Sequence, residues 1–547
     1  MRLVPSLLPL LLAACAFAAP RPKLVVVISV DQFAADLMEQ WGRDLPGGLG
    51  RLRREGTSFQ QAYQDHGLTE TGPGHSVILT GRYPGHTGIV ENNWLDGGSG
   101  RSVYCVDDPA SPVLGAAAGS KGVSARNLQG ETLGAWLQNQ VPGSRVFAMT
   151  GKDRSAILMA GRKAQGVYWL AGGLGFSTAS AYAQALPSWL QVHNRRFLAG
   201  LGQDGLIWTP VDARPLPAAA TYQVRGRAVT MGLPHTILGA GMPRDAAFWE
   251  RFRGSPFFDQ AILDAAEALV EGERLGRGPA TDLLALGLSA TDYVGHAFGN
   301  GGPEMLDNLR RLDLELGVFL DRLQAKVPGL WVVLTADHGA GDFPERLRAR
   351  GLPGQRLLGP VWQKAFNLEL ARRLGVSGDL LAANGISHML YLDPKVLAAS
   401  GRSRAEVLKA AVAVAKAMPE VAEACSAEEL EAYRGDPLES PERHSYKARL
   451  KLSYQAGRSG DLLLAFQPHI TLDDPSHVAG HGHPQPYDQR VPLIFWGPWR
   501  AEPRGEPVRV VDLAATLARE LGLQPEAAID GRPLELKPAH KAGIAAR

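Results

Sequence analysis

The stretch Leu24-Val25-Val26-Val27-Ile28-Ser29-Val30-Asp31 decides the fold. A run this short, almost wholly apolar and rich in β-branched side chains, is expected of a strand buried on both faces, and the aspartate marks where it stops. The pattern returns at Arg145–Met149, Leu283–Leu288, Leu330–Leu334 and Val491–Trp496, all read as buried parallel strands. Between them the apolar period changes: Leu309, Leu312, Leu316, Phe319, Leu320 and Leu323 recur at the spacing of one buried helical face. Ser403 with Glu406 three positions on forms a capping box, opening a helix expected to run to about Met418, just before Pro419. Strands alternating with helices specify an α/β fold, a mostly parallel central sheet with helices on both faces.

The stretch 367–472 breaks that alternation and is read as an inserted cap, so the catalytic domain comprises 23–366 and 473–536, with a frayed tail over 537–547. At the other end, Arg2, the short apolar stretch from Leu7 to Ala14 and the small-x-small triplet Ala16-Phe17-Ala18 read as a signal peptide over 1–19, hence a periplasmic or secreted protein. Leu12-Ala13-Ala14-Cys15 resembles a lipoprotein box, so lipid anchoring through Cys15 is the alternative. With that leader removed, Cys105 and Cys425 are left either bonded in an oxidising compartment or as two buried thiols. A net charge of +2 gives no field to recruit nucleic acid or anionic lipid, and three cysteines exclude a disulfide scaffold or a Cys-rich zinc module. No stretch after the leader is long and apolar enough to span a membrane.

Polar residues gather where the apolar runs stop. Asp31 follows the first; Lys152 and Arg154 follow the second; Asp292 and His296 the third; Asp337 and His338 the fourth. In an open α/β sheet the carboxyl ends of the strands form the ligand crevice, so four strands would deliver acids, imidazoles and cations to one rim. Each residue also has an ordinary reading, as a helix cap, turn residue or solvated pair. Mixed carboxylate and imidazole donors suit Zn²⁺, whereas Mg²⁺ would want mostly oxygen. Two ions about 4 Å apart could clamp both the attacking and the leaving oxygen of a displacement. The candidate nucleophile is Thr71, in Thr69-Glu-Thr-Gly-Pro-Gly-His75: Pro73 suits a first helical turn, leaving the hydroxyl near the positive end of the helix.

Taken in order, Val27-Ile-Ser-Val-Asp31, Thr71-Gly-Pro-Gly-His75, Thr80-Gly-Arg-Tyr-Pro84, His86-Thr-Gly88, Asn92-Asn-Trp94, Lys152-Asp-Arg154, Asp292-Tyr-Val-Gly-His296, Ala336-Asp-His-Gly339 and His481-Gly482 resemble the alkaline phosphatase superfamily. The likeness is to its bacterial phosphate-irrepressible phosphomonoesterases, related to the nucleotide pyrophosphatase/phosphodiesterase branch, and it spans about Lys23 to Gly522. It implies two zinc ions, one held by Asp292, His296 and His481, the other by Asp31, Asp337 and His338 with the Thr71 oxygen. Asn92, Lys152 and Arg154 would bind phosphoryl oxygens, and the reaction would be a double displacement through a phosphothreonine. His483 is the alternative to His481, His477 is read as a loop residue, and His75 and His86 match non-ligand histidines. The partner implied is a small-molecule phosphate monoester: Lys152 and Arg154 suit its extra charged oxygen, where a diester site would present an apolar shelf.

The nearest rival is a phosphodiesterase or nucleotide pyrophosphatase on the same fold. A sulfatase would need Cys or Ser at Thr71, and a cofactor-independent phosphoglycerate mutase would use Ser and carry no leader. Outside enzymes, a periplasmic phosphate-binding pseudoenzyme is the alternative.

Overall fold

A computed structural model of the chain describes residues 21–539, apart from Gly98, Ala118, Gln203, Asp204, Ile386 and Pro437. The signal-peptide expectation over 1–19, with Cys15, lies outside the described residues. A nine-stranded sheet forms the centre, in the order Glu502–Arg509, Thr57–Tyr63, Arg490–Trp496, Leu330–Thr335, Leu24–Val30, Asp282–Leu288, Val146–Thr150, Gly166–Leu170, Phe176–Ser177. The Leu24–Val30 strand is its middle, buried throughout and paired in parallel with Asp282–Leu288 and with Leu330–Thr335. Parallel pairing continues outward through Val146–Thr150 to Gly166–Leu170. The architecture is the expected α/β one, with a large core cluster taking in both sheet and helices. The periodic helix spans Pro303–Lys326, and its leucine face is buried.

One strand runs against expectation. Arg490–Trp496 is antiparallel to both Leu330–Thr335 and Thr57–Tyr63. Burial on both faces makes a continuous apolar run but leaves direction open. Here the chain enters the strand from the loop beside the carboxyl ends of the parallel strands, so it must run back across the sheet.

Residues 359–466 build a second, smaller layer. Four antiparallel strands, Leu381–Ala383, Met389–Leu392, Leu462–Phe466 and Val421–Ser426, pack with the helices Gly359–Leu374 and Arg404–Ala417 over their own core of Trp362, Phe366, Val407, Val414 and Phe466. The capping box is present: the Ser403 hydroxyl and the Glu406 carboxylate satisfy each other's backbone amides. A short parallel pair, Gln355–Leu357 with Ile470–Leu472, forms the waist between the two layers. The tail differs from expectation through Ala539. Lys537 and Ala539 are tied by backbone hydrogen bonds to Arg500 and Pro498, and Trp499 bridges Pro538.

Candidate active site

Thr71 is the first residue of the buried helix Thr71–Thr80. That helix lies so close to the end of the Leu330–Thr335 strand that a β-carbon on Gly74 would sit 2.0 Å from the Asp337 carbonyl oxygen. Helix propensity alone would favour Gly74→Ala by about 1 kcal/mol. The contact reverses the sign: we expect a lower thermal midpoint, a loss of about 1–3 kcal/mol as for other overpacked sites, and displacement of Thr71 from Asp337 read as lost activity.

The strand ends bring the acids together. Asp31, Asp292, Asp337 and His338 are all buried. Asp337 Oδ1 accepts the amides of Gln32 (3.1 Å) and His338 (3.0 Å), which turns Oδ2 inward. There Oδ2 lies 3.4 Å from His338 Nε2, and Asp31 Oδ1 lies 3.7 Å from the same nitrogen. Asp292 Oδ1 lies 3.3 Å from His296 Nε2 and 3.4 Å from His481 Nε2. The helix that carries Asp292 and His296, Ala290–Phe298, is held by buried Asp259, whose carboxylate accepts the amides of Ser289 (2.7 Å) and Ala290 (2.9 Å).

The histidine tautomers are fixed by their outer nitrogens. Nδ1 of His296, of His338 and of His481 faces the carbonyl of Ala479 (2.9 Å), Gly339 (3.0 Å) and Thr69 (2.9 Å) respectively. A carbonyl only accepts, so each Nδ1 carries the proton and each neutral ring turns an Nε2 lone pair toward carboxylate oxygens. Asp31 Oδ1, Asp292 Oδ1 and His338 Nε2 are buried without a hydrogen bond among the described residues. Buried acceptors facing one another are costly unless a cation lies between them, and three imidazoles with three carboxylates fit zinc. By proximity alone the donor atoms of Asp292, His338 and His481 form one group within 4.8 Å, and those of Asp31, His75 and Asp337 another. His75 Nδ1 faces the Thr71 carbonyl at 2.9 Å and Asp337 Oδ2 at 3.1 Å, so it donates and orients the carboxylate.

Charge balance points the same way. Burial, reinforced by Asp337, pushes Asp31 well above the usual carboxylate range despite Lys152. Burial would also raise Asp292 and Asp337, but Lys152 and His296 outweigh it at the first, and His338 and His75 at the second, so both are held low. Burial takes His338 down to about 3. Lys152 is the only buried lysine among the described residues; burial would lower it, but Asp292 and Asp31 raise it, and its Nζ lies 2.5 and 2.6 Å from them.

Thr71 Oγ1 lies 3.3 Å from Lys152 Nζ and 3.2 Å from Arg154 Nη2. Asn92 Oδ1 accepts the Gly72 amide at 2.7 Å, which leaves its Nδ2 as the donor facing outward. A cavity of about 230 Å³ opens above Thr71, and Asn92, Arg154, Asp292, His296 and His481 line it. A cavity of about 240 Å³ between the helices Phe257–Gly272 and Pro303–Lys326 gathers no such donor set; Leu263, Glu315 and Phe319 line it.

The remaining histidines separate. His483 is buried and bonded through Nδ1 to His388 Nε2 at 3.0 Å, outside the cavity wall. His477 stacks on His296 with ring centroids 4.1 Å apart, and His86 pairs with Asp530 at 2.9 Å. Cys105 and Cys425 are free and buried.

Several contributors escape the sequence reading. Glu70 lines the cavity and accepts the Asn92 amide at 2.7 Å. The Tyr104 hydroxyl donates to Asp153 at 2.6 Å and accepts from Arg154 at 3.4 Å, aiming the guanidinium. His388, from the smaller layer, forms part of the wall. Glu70 at least adjoins the Thr71 motif; Tyr104 and His388 carry no signal of their own.

Residues 25–487 match the family described as type I phosphodiesterase / nucleotide pyrophosphatase. The chain is similar to the alkaline phosphatase PhoK of Sphingomonas sp, 38% identical over 537 residues, covering 96% of this chain and 92% of that one. It is similar to the alkaline phosphatase PafA of Elizabethkingia meningoseptica, 30% identical over 532 residues, covering 94% of each. The crystal structure of wild-type alkaline phosphatase PafA superposes with a TM-score of 0.81 at 28% identity, over 94% of this chain and 99% of that one.

Proposed function

Since this chain belongs to the type I phosphodiesterase/nucleotide pyrophosphatase family, we propose that it is a secreted alkaline phosphatase, hydrolysing phosphate monoesters through a phosphothreonine at Thr71. The observation that carries this reading is the single hydroxyl at a helix N-terminus, flanked by Lys152 and Arg154 and backed by unpaired carboxylate and imidazole acceptors. Asp292, His296 and His481 would hold one zinc; Asp31, Asp337 and His338, with the Thr71 oxygen, the other. Bound there, zinc would supply Lewis-acid stabilisation of the attacking and leaving oxygens.

The chain's own residues do the rest. Thr71 Oγ1, its proton lost to water, forms the bond to phosphorus as the bond to the leaving oxygen breaks, and the departing alkoxide takes a proton from water; water then cleaves the phosphothreonine, returning the proton to Thr71 and releasing inorganic phosphate. Arg154 and the side-chain amide of Asn92 meet the non-bridging oxygens. Lys152 adds a buried point charge, and the Tyr104–Asp153 pair keeps Arg154 from swinging out of the cavity.

The relatives, named as enzymes across nearly the full length, leave the phosphate-binding pseudoenzyme without support. The diesterase reading keeps one argument, the family name itself. Lys152 and Arg154 favour the monoester, because they match a third charged oxygen that a diester lacks. Comparing kcat/KM on an aryl monoester and an aryl diester tests this, and a diester preference overturns it. We further expect two zinc ions per chain, near-complete loss of turnover on dialysis against a chelator, and recovery on adding zinc. Fewer than one ion per chain, with no recovery, would overturn the metal assignment. Export is part of the proposal on the strength of residues 1–19; no described helix is long and apolar enough to cross a membrane.

A further inference from the structure

Between Leu201 and Asp245 the chain leaves the main sheet, and part of the excursion is the hairpin Ala220–Val224 with Arg227–Met231. Val224 pairs with Arg227, so Arg225 and Gly226 alone make the turn, with φ of 51° and 75°. Two successive positive φ values define the type I′ hairpin turn, where Asn-Gly fits best. Arginine there holds a left-handed backbone that side chains with a β-carbon rarely adopt.

The side chain shows what the position gains. Arg225 Nε donates to Asp473 Oδ1 at 2.7 Å, and Nη2 donates to the carbonyls of Asp474 and His477, some 250 residues away. Beneath the turn, Val224 and Met231 are buried against Phe343 and Ala479, and Tyr222 meets Phe343 edge-on at 5.1 Å. From the opposite side Arg356 donates to Asp473 Oδ1 (3.1 Å) and to the Val478 carbonyl (2.8 Å).

The loop so gripped, 473–481, has no strand or helix to hold it. Yet it sets two imidazoles: the Ala479 carbonyl fixes His296, the amides of Val478 and Ala479 donate to the His296 carbonyl, and His481 is its last residue. We propose that Arg225 is a positioning residue, a brace from a distant hairpin that keeps His296 and His481 aimed at Asp292. The proposal rests on the zinc site described above.

Arg225→Asn is the informative variant, because Asn-Gly improves the turn while removing all three bonds to the loop. Outer partners of metal ligands change affinity or activity by about 10–100-fold. We expect R225N to release one of its two zinc ions to a colorimetric chelator faster by about that factor, with kcat falling similarly. The thermal midpoint of the zinc-free protein should stay level or rise, and R225K should recover part of the lost zinc retention. Zinc release and kcat equal to the parent protein would overturn the brace, leaving Arg225 a surface staple. That failure is separable from failure of the site itself, which would appear in the unmodified protein as missing zinc.

Discussion

Thr71→Ala is expected to lower kcat by about 10⁴- to 10⁶-fold, the scale on which removing the nucleophile of a covalent mechanism acts. Alanine suits the first turn of a helix, and Thr71 borders the cavity rather than the packed core, so the fold should survive the loss of one hydroxyl and one methyl group. What disappears is the only atom placed 3.3 Å from Lys152 and 3.2 Å from Arg154 that can form a bond to phosphorus. Arg154 still lines the cavity, so inorganic phosphate should still bind, visible by calorimetry as an intact or tightened Kd. Thr71→Ser restores the oxygen and should restore turnover. Acid-quench trapping of labelled phosphate on the parent protein, absent from the alanine variant, reads the intermediate directly. If Thr71→Ala keeps more than about a tenth of the parent rate, the nucleophile lies elsewhere.

The second large effect concerns selectivity. Arg154→Ala is expected to lower kcat/KM for an aryl monoester by about 10–100-fold, the value of one or two hydrogen bonds to a charged oxygen. The rate on the corresponding diester should change much less. Arg154 is the cleaner probe, because Nη2 meets Thr71 while Nη1 meets Tyr104, and neither touches the carboxylates of the site. Lys152→Ala should depress both substrate classes, since its ammonium also offsets Asp31 and Asp292 at 2.6 and 2.5 Å. Equal losses on monoester and diester for Arg154→Ala would remove its role in choosing between them. Tyr104→Phe, which unhooks the guanidinium from Asp153, should follow Arg154→Ala at reduced amplitude.

The central strands are legible because a strand covered on both faces is apolar at nearly every position, Ser29 being the exception in the first, and turns charged only where it leaves the core. That is why Leu24–Val30 could be read directly, and why Asp31, Asp292 and Asp337 stood out at its end and at those of its neighbours. The same logic failed on direction: Arg490–Trp496 is as apolar as the others and runs the opposite way. Residues whose importance lies in a distant partner were illegible. Arg225 reads as one more surface charge until Asp473 appears beside it, and Tyr104 as an ordinary strand aromatic until Asp153 and Arg154 do. The histidine crowding at His477, His481 and His483 is visible in the sequence, but only their partners separate them: the Thr69 carbonyl holds His481 toward Asp292, while the His388 ring takes up His483.

The late position of His481 has a consequence in time. Thr69 and His481 are 412 residues apart, and the loop joining His481 to the sheet feeds the strand that joins Thr57–Tyr63 to Leu330–Thr335. A growing chain would therefore carry its acids and its hydroxyl long before the imidazole that completes their constellation. Such long-range closure is slow and comes last. Activity should accordingly appear only once residue 481 is in place, and truncations before it should never acquire activity.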